Sequence, residues 1–220
     1  YLDLACDLIT PAHELVASPI GEEESRVARA LAEAEAGRRV ALVCSGDAGV
    51  YALASLVWEA VGAASRSPGG PETGTDADIE VVPGVTAALA AASLLGAPLG
   101  HDHAAVSLSD ILTPWDDIER RLESAAAADF VVTLYNPRSR GRPHHLDRAR
   151  EIFLAHRSAD TPVGVVTDAY RPGQQVTVTT LGALDSDTVG MTTIVIVGAS
   201  STRAAAGGMV TPRRVPVPQA

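Results

Sequence analysis

The sequence predicts an α/β protein of two lobes, with a largely parallel N-terminal sheet, a mixed C-terminal sheet and helices flanking both. Three observations predict it. Up to about residue 108, short apolar runs alternate with stretches of helical period, the pattern of strand–helix–strand crossovers in a parallel sheet. In the last third the apolar runs follow one another directly, which requires antiparallel neighbours. The composition also fits: 220 residues, 46% hydrophobic and only 4% aromatic, are enough to bury a core, and the abundant Ala and Val suit close helix-on-sheet packing. The lobes are expected over 1–108 and 109–203, meeting near 108–113, with a flexible Gly- and Pro-rich tail over 204–220.

Element by element, residues 22–36, "EEESRVARALAEAEA", carry apolar residues at helical spacing, acids in the first turn and Gly37 just beyond the end. The apolar run Val40-Ala41-Leu42-Val43 places a strand over 38–44, and helical patterning resumes over 49–61. Residues 65–78, "SRSPGGPETGTDAD", are turn formers without period and read as a surface insertion. A short strand at 79–82 ends at Pro83-Gly84, and an Ala-rich helix follows over 85–95. A strand at 104–108 precedes "TPWDDIERRLESAAAA", a helix with Thr113 as N-cap, Pro114 at its first position and acids in its first turn. A strand over 129–135, a helix over 144–156, and strands over 162–167, 174–181 and 192–197 complete the set, with no internal repeat.

Charge and motifs exclude several classes of function. A net charge of −10 opposes general nucleic-acid binding, which needs a positive field. The longest apolar stretch, 85–100, is too short to span a bilayer and ends near Pro98, so no membrane partner is expected. The N-terminus has no signal-peptide pattern, and Cys6 and Cys44 form no disulfide or metal framework, so the cytoplasm is the expected compartment. Neither GxxxxGK[ST] nor GxGxxG is present, GxSxG is absent, and no Ser-His-Asp or Cys-His spacing stands out. His101 and His103 would share one face of a strand as two metal ligands do, but no third ligand has a recognisable spacing, so no metal is expected.

Three strand-end loops carry the chemistry. "CSGDAGVY" (44–51) and "VVPGVT" (81–86) each place glycine between a strand and a helix, where a ligand can lie on the backbone and meet free N–H groups. Asp47 has two readings, a helix cap or an acceptor for ribose hydroxyls; Pro83-Gly84 has two, a plain turn or a ligand floor. The third loop, "LYNPRSRGRPHH" (134–145), gathers Arg138, Arg140 and Arg142 with His144 and His145 in an acidic protein. Guanidinium forks bind carboxylates bidentately, so this loop suits a polyanionic ligand; the plainer reading is a solvated basic loop paired with the protein's own acids. Arg171, in "VVTDAYRPGQQV", is a further candidate for the anion site.

Together, "YLDL", "SGDAGVYALA", "VPGVTAALAAASLLGAPLGHDHAAVSLSD", "LTPW", "LYNPRSRGR", "TDAYRPGQQVTVTTL" and "MTTIVIVGASSTR" resemble the tetrapyrrole methylase family, in order from Tyr1 to about Arg203. Within it they are most similar to the branch that methylates C-17 of precorrin-3B with ring contraction to precorrin-4. The resemblance implies two α/β domains, S-adenosylmethionine as methyl donor, a tetrapyrrole substrate and a homodimer. It places cofactor contacts at Gly46, Asp47 and Val50, at Pro83, Thr86 and Ala87, and at Asn136, Ala169 and Thr193. The macrocycle's acetate and propionate groups would give Arg138, Arg140, Arg142 and Arg171 their role. A base that assists the contraction would be sought at Asp102, His101 and His103. Action at C-11 or C-20, a cobalt-bearing substrate (cobalt-factor III), and a non-catalytic tetrapyrrole- or nucleotide-binding role are the alternatives. Family members also carry an apolar strand ending in GxGPGD ahead of the YLDL stretch. Without it, an open strand edge, a fragment and weak cofactor binding are expected.

Overall fold

The structure, a computed structural model, describes residues 1–19, 21–64 and 77–213. The surface insertion expected at 65–78 lies almost wholly outside them. The chain divides into two compact units, Tyr1–Thr86 and Ala87–Ala220.

In the first unit a short 3-10 helix, Asp3–Leu8, precedes α1 (Glu23–Glu35) and α2 (Ala54–Ala64). α1 forms where its apolar spacing predicts it, begins with Glu23 and Glu24 in its first turn, buries Val27 and packs against α2. α2 starts later than the sequence pattern suggests. Tyr51 sits at φ 51°, and the Val50 and Ala54 N–H groups bond back to Asp47 and Ala48 carbonyls, so 47–53 is a string of turns that no helix can enter. The stretches 38–44 and 79–82, expected as strands of a parallel sheet, form no regular element and have no ladder partners among the described residues. A strand needs neighbours to satisfy its backbone, and apolar character alone does not supply them. Val40, Val43, Val81 and Val82 are accordingly left exposed.

The second unit holds both sheets among the described residues. It comprises α3 (Ala87–Leu95), β1 (Gly96–Ala97), β2 (His103–Ser107), α4 (Trp115–Ala127), β3 (Val131–Tyr135), α5 (His145–His156), β4 (Pro162–Thr167), β5 (Gln175–Thr180), β6 (Thr193–Val197), β7 (Arg203–Ala205) and β8 (Gly208–Val210). The larger sheet has the order β2-β3-β6-β4-β5, parallel at β2–β3 and antiparallel elsewhere. The α/β class with two sheets and flanking helices therefore holds. β2, expected ahead of the lobe boundary, pairs with β3, expected after it.

β3 and β6 are buried along their whole length, which explains why they read as unbroken apolar runs. Val132, Leu134, Val195 and Val197 face a core made by Ile118 and Leu122 of α4 and Leu146 and Phe153 of α5. On the other face α3 packs against β4 and β6, an arrangement that Ala88, Ala91 and Ala92 permit because they are small. α4 is capped by Pro114 (φ −54°, ψ 143°), whose carbonyl accepts from the Asp117 and Ile118 N–H groups. Thr113, expected as the cap, lies one residue outside and makes no capping bond.

The tail expected to be flexible from residue 204 is ordered as far as the described residues extend. β7 and β8 form a hairpin around Ala206-Gly207, both at positive φ, and β8 also pairs in parallel with β1. Met209 (1% exposed) and Thr211 (2%) are buried, so packing fixes a segment whose composition alone suggested fraying. Gly208 is required by close approach: a Cβ there would stand 2.3 Å from the Leu95 carbonyl oxygen.

Candidate functional site

The first group of residues is built around one carboxylate. Asp47 accepts the Gly49 N–H on Oδ1 (2.8 Å) and the Gly84 N–H on Oδ2 (2.9 Å), tying the "SGDAG" loop to the "VPGV" loop. These bonds, that from Gly84 foremost, hold the Asp47 carboxyl below the usual carboxylate range. The two loops touch so closely that a Cβ on Gly84 would stand 2.0 Å from the Gly46 carbonyl oxygen, so only glycine fits. Gly46 itself turns at φ 78°. Gly46, Asp47, Val50 and Pro83 thus form one backbone-rich surface, with Thr86 two residues beyond Gly84. Of the two readings of Asp47, the helix cap fails because α2 begins only at Ala54: the bond from Gly49 closes a local turn, and a second bond reaches across to the other loop. Beside it, burial foremost and then the Asp47 charge push the Cys44 thiol up.

The second group lies at one edge of the large sheet. The register Leu134↔Val195 and Thr167↔Thr193 puts the carboxyl ends of β2, β3 and β4 and the amino end of β6 together. Asn136, one residue past β3, turns at φ 50° and donates its Nδ2 to Ser107 Oγ (3.0 Å) at the end of β2. Thr193 is buried and shares a 2.8 Å hydroxyl contact with Thr167. Ala169 sits in the β4–β5 loop between Asp168 (φ 48°) and Tyr170 (φ 58°), whose hydroxyl meets Ser93 Oγ of α3 at 2.9 Å. Ala87 joins this edge because the neighbouring Ala88 N–H donates to the Tyr135 hydroxyl (3.1 Å). Four positions drawn from four segments, Ala87, Asn136, Ala169 and Thr193, are therefore collected at one strand-end edge. Such an edge is where open α/β sheets hold ligands.

Asp102 and His101 are not part of it. They precede β2, and the Asp102 carbonyl accepts from Val131 at the start of β3, so they lie at the opposite edge, a strand length of roughly 13 Å away. His101 faces Asp102 at 3.4 Å, and the His103 ring nitrogen meets the His101 carbonyl, all exposed. Among the described residues no three His, Cys, Asp or Glu side chains gather as a metal site.

The basic loop is heterogeneous. Arg138 donates to the Ser186 carbonyl (2.6 Å) and pairs with Asp187 (2.7 Å), so the plainer reading holds for it. Arg140 and Arg171 are exposed. Arg142 is buried, and a reciprocal bridge with Ser139 pins its backbone. Sequence reasoning missed two contributors. Tyr135 links the end of β3 to the start of α3, and the only sequence signal was an aromatic residue before Asn136. His145, at the start of α5, donates Nδ1–H to the Leu108 carbonyl (2.8 Å), stacks on Trp115 (4.2 Å between centroids) and faces Asp110 at 3.6 Å. No single-residue signal marked it apart from its neighbour His144.

The family model described as Tetrapyrrole (Corrin/Porphyrin) Methylases matches residues 2–185. The chain belongs to that family. Among individual tetrapyrrole methylases, it is 47% identical over 200 residues to a probable cobalt-factor III C(17)-methyltransferase of Salmonella typhimurium, covering 91% of this chain and 79% of the relative. It is 43% identical over 195 residues to a precorrin-3B C(17)-methyltransferase of Sinorhizobium, covering 89% and 74%. The crystal structure of the methyltransferase CobJ superposes with a TM-score of 0.83 at 38% identity, covering 94% of this chain and 84% of that one.

Proposed function

We propose that the protein is an S-adenosylmethionine-dependent methyltransferase of cobalamin biosynthesis that methylates C-17 of precorrin-3B with ring contraction to precorrin-4. The carrying observation is that relatives above 40% identity, from two organisms, are both named C(17)-methyltransferases. One relative's name specifies cobalt-factor III, and this supports the cobalt-bearing substrate as the second reading.

Its donor, S-adenosylmethionine, supplies a methyl group already activated on a sulfonium, leaving as the neutral thioether when the new carbon–carbon bond forms. The residues present suit such a ligand. Gly84 lies so close to the Gly46 carbonyl that no side chain fits there, and two N–H groups favour the ionised form of the Asp47 carboxylate. We assign ligand contacts in the first unit to Gly46, Asp47, Val50, Pro83 and Thr86, and in the second to Ala87, Asn136, Ala169 and Thr193. Their task is positioning: holding methyl, sulfur and accepting carbon in line removes most of the entropic barrier of a two-body reaction. Asn136 is held at its left-handed turn by Ser107 and so presents fixed polar atoms, while the buried Thr193 hydroxyl, bonded to Thr167 and to the Gly190 N–H, fixes the backbone at the start of β6. Substrate carboxylates are assigned to Arg140 and Arg142 of the basic loop and to Arg171, Arg138 being already paired with Asp187. Asp102 and His101 lie away from this edge and receive no role in the transfer. Assembly as a homodimer is part of the same reading, and sedimentation equilibrium tests it.

The experiment is single-turnover incubation with methyl-labelled S-adenosylmethionine and either precorrin-3B or cobalt-factor III, with the label located in the product by carbon NMR. Label at C-17 is expected, and the preferred substrate distinguishes the two readings. Label at C-11 or C-20, or no transfer despite tetrapyrrole binding, would overturn the proposal.

A further inference from the structure

We infer that Arg142 is the principal carboxylate-binding arginine of the basic loop, forming a preorganised anion subsite whose partner is supplied by the ligand and not by the protein. The substrate class, a polycarboxylate macrocycle, rests on the function proposed above; the anion site does not.

The argument starts from the cost of burying a charge. A guanidinium removed from water must be paired or hydrogen-bonded, because an uncompensated buried charge costs several kcal/mol. The chain contains an internal control. Arg157 is as buried as Arg142, at 8% and 7% exposure. Arg157 is answered by the protein: its Nη atoms donate to the Gly198, Phe130 and Ala125 carbonyls, Asp129 lies 3.9 Å away, and the Phe153 ring faces it. Arg142 has no such answer. Its Nε is buried without a hydrogen-bond partner, as is that of Arg157, but its Nη atoms, which reach the surface, also make no hydrogen bond or ion pair among the described residues. The other arginines without a side-chain partner there, such as Arg140 and Arg171, are exposed, where water satisfies them.

Two further features favour an anion as the missing partner. The Ser139–Arg142 bridge (Arg142 N–H to Ser139 carbonyl, 3.0 Å) fixes the backbone that carries the guanidinium, so little order is lost on binding. Three residues on, α5 begins without a side-chain cap on His144, leaving first-turn N–H groups and the positive end of a twelve-residue helix beside the loop. Asp147 in that first turn and Asp110 facing His145 are the nearby carboxylates, and neither pairs with Arg142. Arg138, the first arginine of the loop, is already held by Ser186 and Asp187. A carboxylate on the planar fork of Arg142 would supply the missing bidentate partner.

Stability and binding should move in opposite senses. In Arg142→Gln, the melting temperature without ligand should hold or rise, since an unpaired charge is removed. The affinity for uroporphyrin, an octacarboxylate macrocycle, should fall by at least about tenfold. Arg138→Gln should lower that affinity by less than about threefold. Unchanged uroporphyrin affinity in Arg142→Gln would overturn the inference. If that variant does not fold, Arg142→Lys carries the test: it keeps the charge and loses the fork, and an affinity equal to that of the native protein would likewise overturn it. Citrate separates the two layers of argument. If citrate raises the melting temperature of the native protein but not of Arg142→Gln, while uroporphyrin does not bind, the anion site stands and the proposed function falls. If neither citrate nor uroporphyrin raises the native melting temperature, the anion site falls.

Discussion

At the Gly46–Asp47–Gly84 junction one carboxylate accepts an N–H group from its own loop and another from Gly84, 37 positions further along the chain, so its charge is committed to holding a ligand surface in shape. Asp47→Ala removes both bonds and is expected to weaken S-adenosylhomocysteine binding by roughly tenfold, as loss of charge-assisted bonds usually does. Asp47→Asn retains one acceptor oxygen and should lose less; isothermal titration of the three proteins checks the order. The pH dependence follows from the same bonds. Because the folded pKa lies below the ordinary value of 3.8, the contribution to stability is complete above the unfolded pKa. It is lost as pH falls through the folded value. An acid melt should therefore show a Asp47-dependent loss only below about pH 3.8, absent in Asp47→Asn. A different polar group tests the opposite case. Thr133, in the middle of β3, is 1% exposed, and its hydroxyl has no partner among the described residues. Thr133→Val keeps the shape and removes the orphan, and should be neutral or stabilising by up to ~1 kcal/mol in urea melts.

Among the elements, the β7–β8 hairpin shows how packing overrides composition. Its strands are three residues each, yet Met209 enters the core beside Leu95 and β8 pairs with both β1 and β7. Met209→Ala should cost about 2–4 kcal/mol, the range for truncating a fully buried large side chain, measured by chemical denaturation. This hairpin was not legible in the sequence because Gly, Ala and short length carry no period. By contrast, β4 was placed to the residue, since a Pro start and an unbroken apolar run fix both ends. The run Val40–Val43 was equally apolar, but a strand exists only with a neighbour to bond, and sequence periodicity contains no information about neighbours. The site followed the same rule. Asn136, Ala169 and Thr193 were named from motifs, and the sheet register then brought them to one edge. The unpaired burial of Arg142 and the second bond of Asp47 depend on tertiary contacts, which a polar loop does not advertise.

Taken as a whole molecule, the chain carries a net charge of −10 while its proposed substrate is a polyanion, so long-range and short-range electrostatics oppose each other. The balance depends on the screening length, about 30 Å at 0.01 M salt and about 8 Å at 0.15 M. At low salt the approaching ligand feels the summed charge of the molecule and is repelled. At physiological salt distant acids are screened, and the field of the 138–142 loop dominates at contact. The association rate of uroporphyrin, followed by stopped-flow fluorescence, should therefore rise between 0.01 and 0.15 M salt, the reverse of the decline seen when opposite charges steer an encounter. Arg142→Gln should leave that slope nearly unchanged, because removing one charge alters the total little, while it accelerates dissociation. A rate that falls with salt in the native protein would mean that the local arginines control the approach as well as the contact.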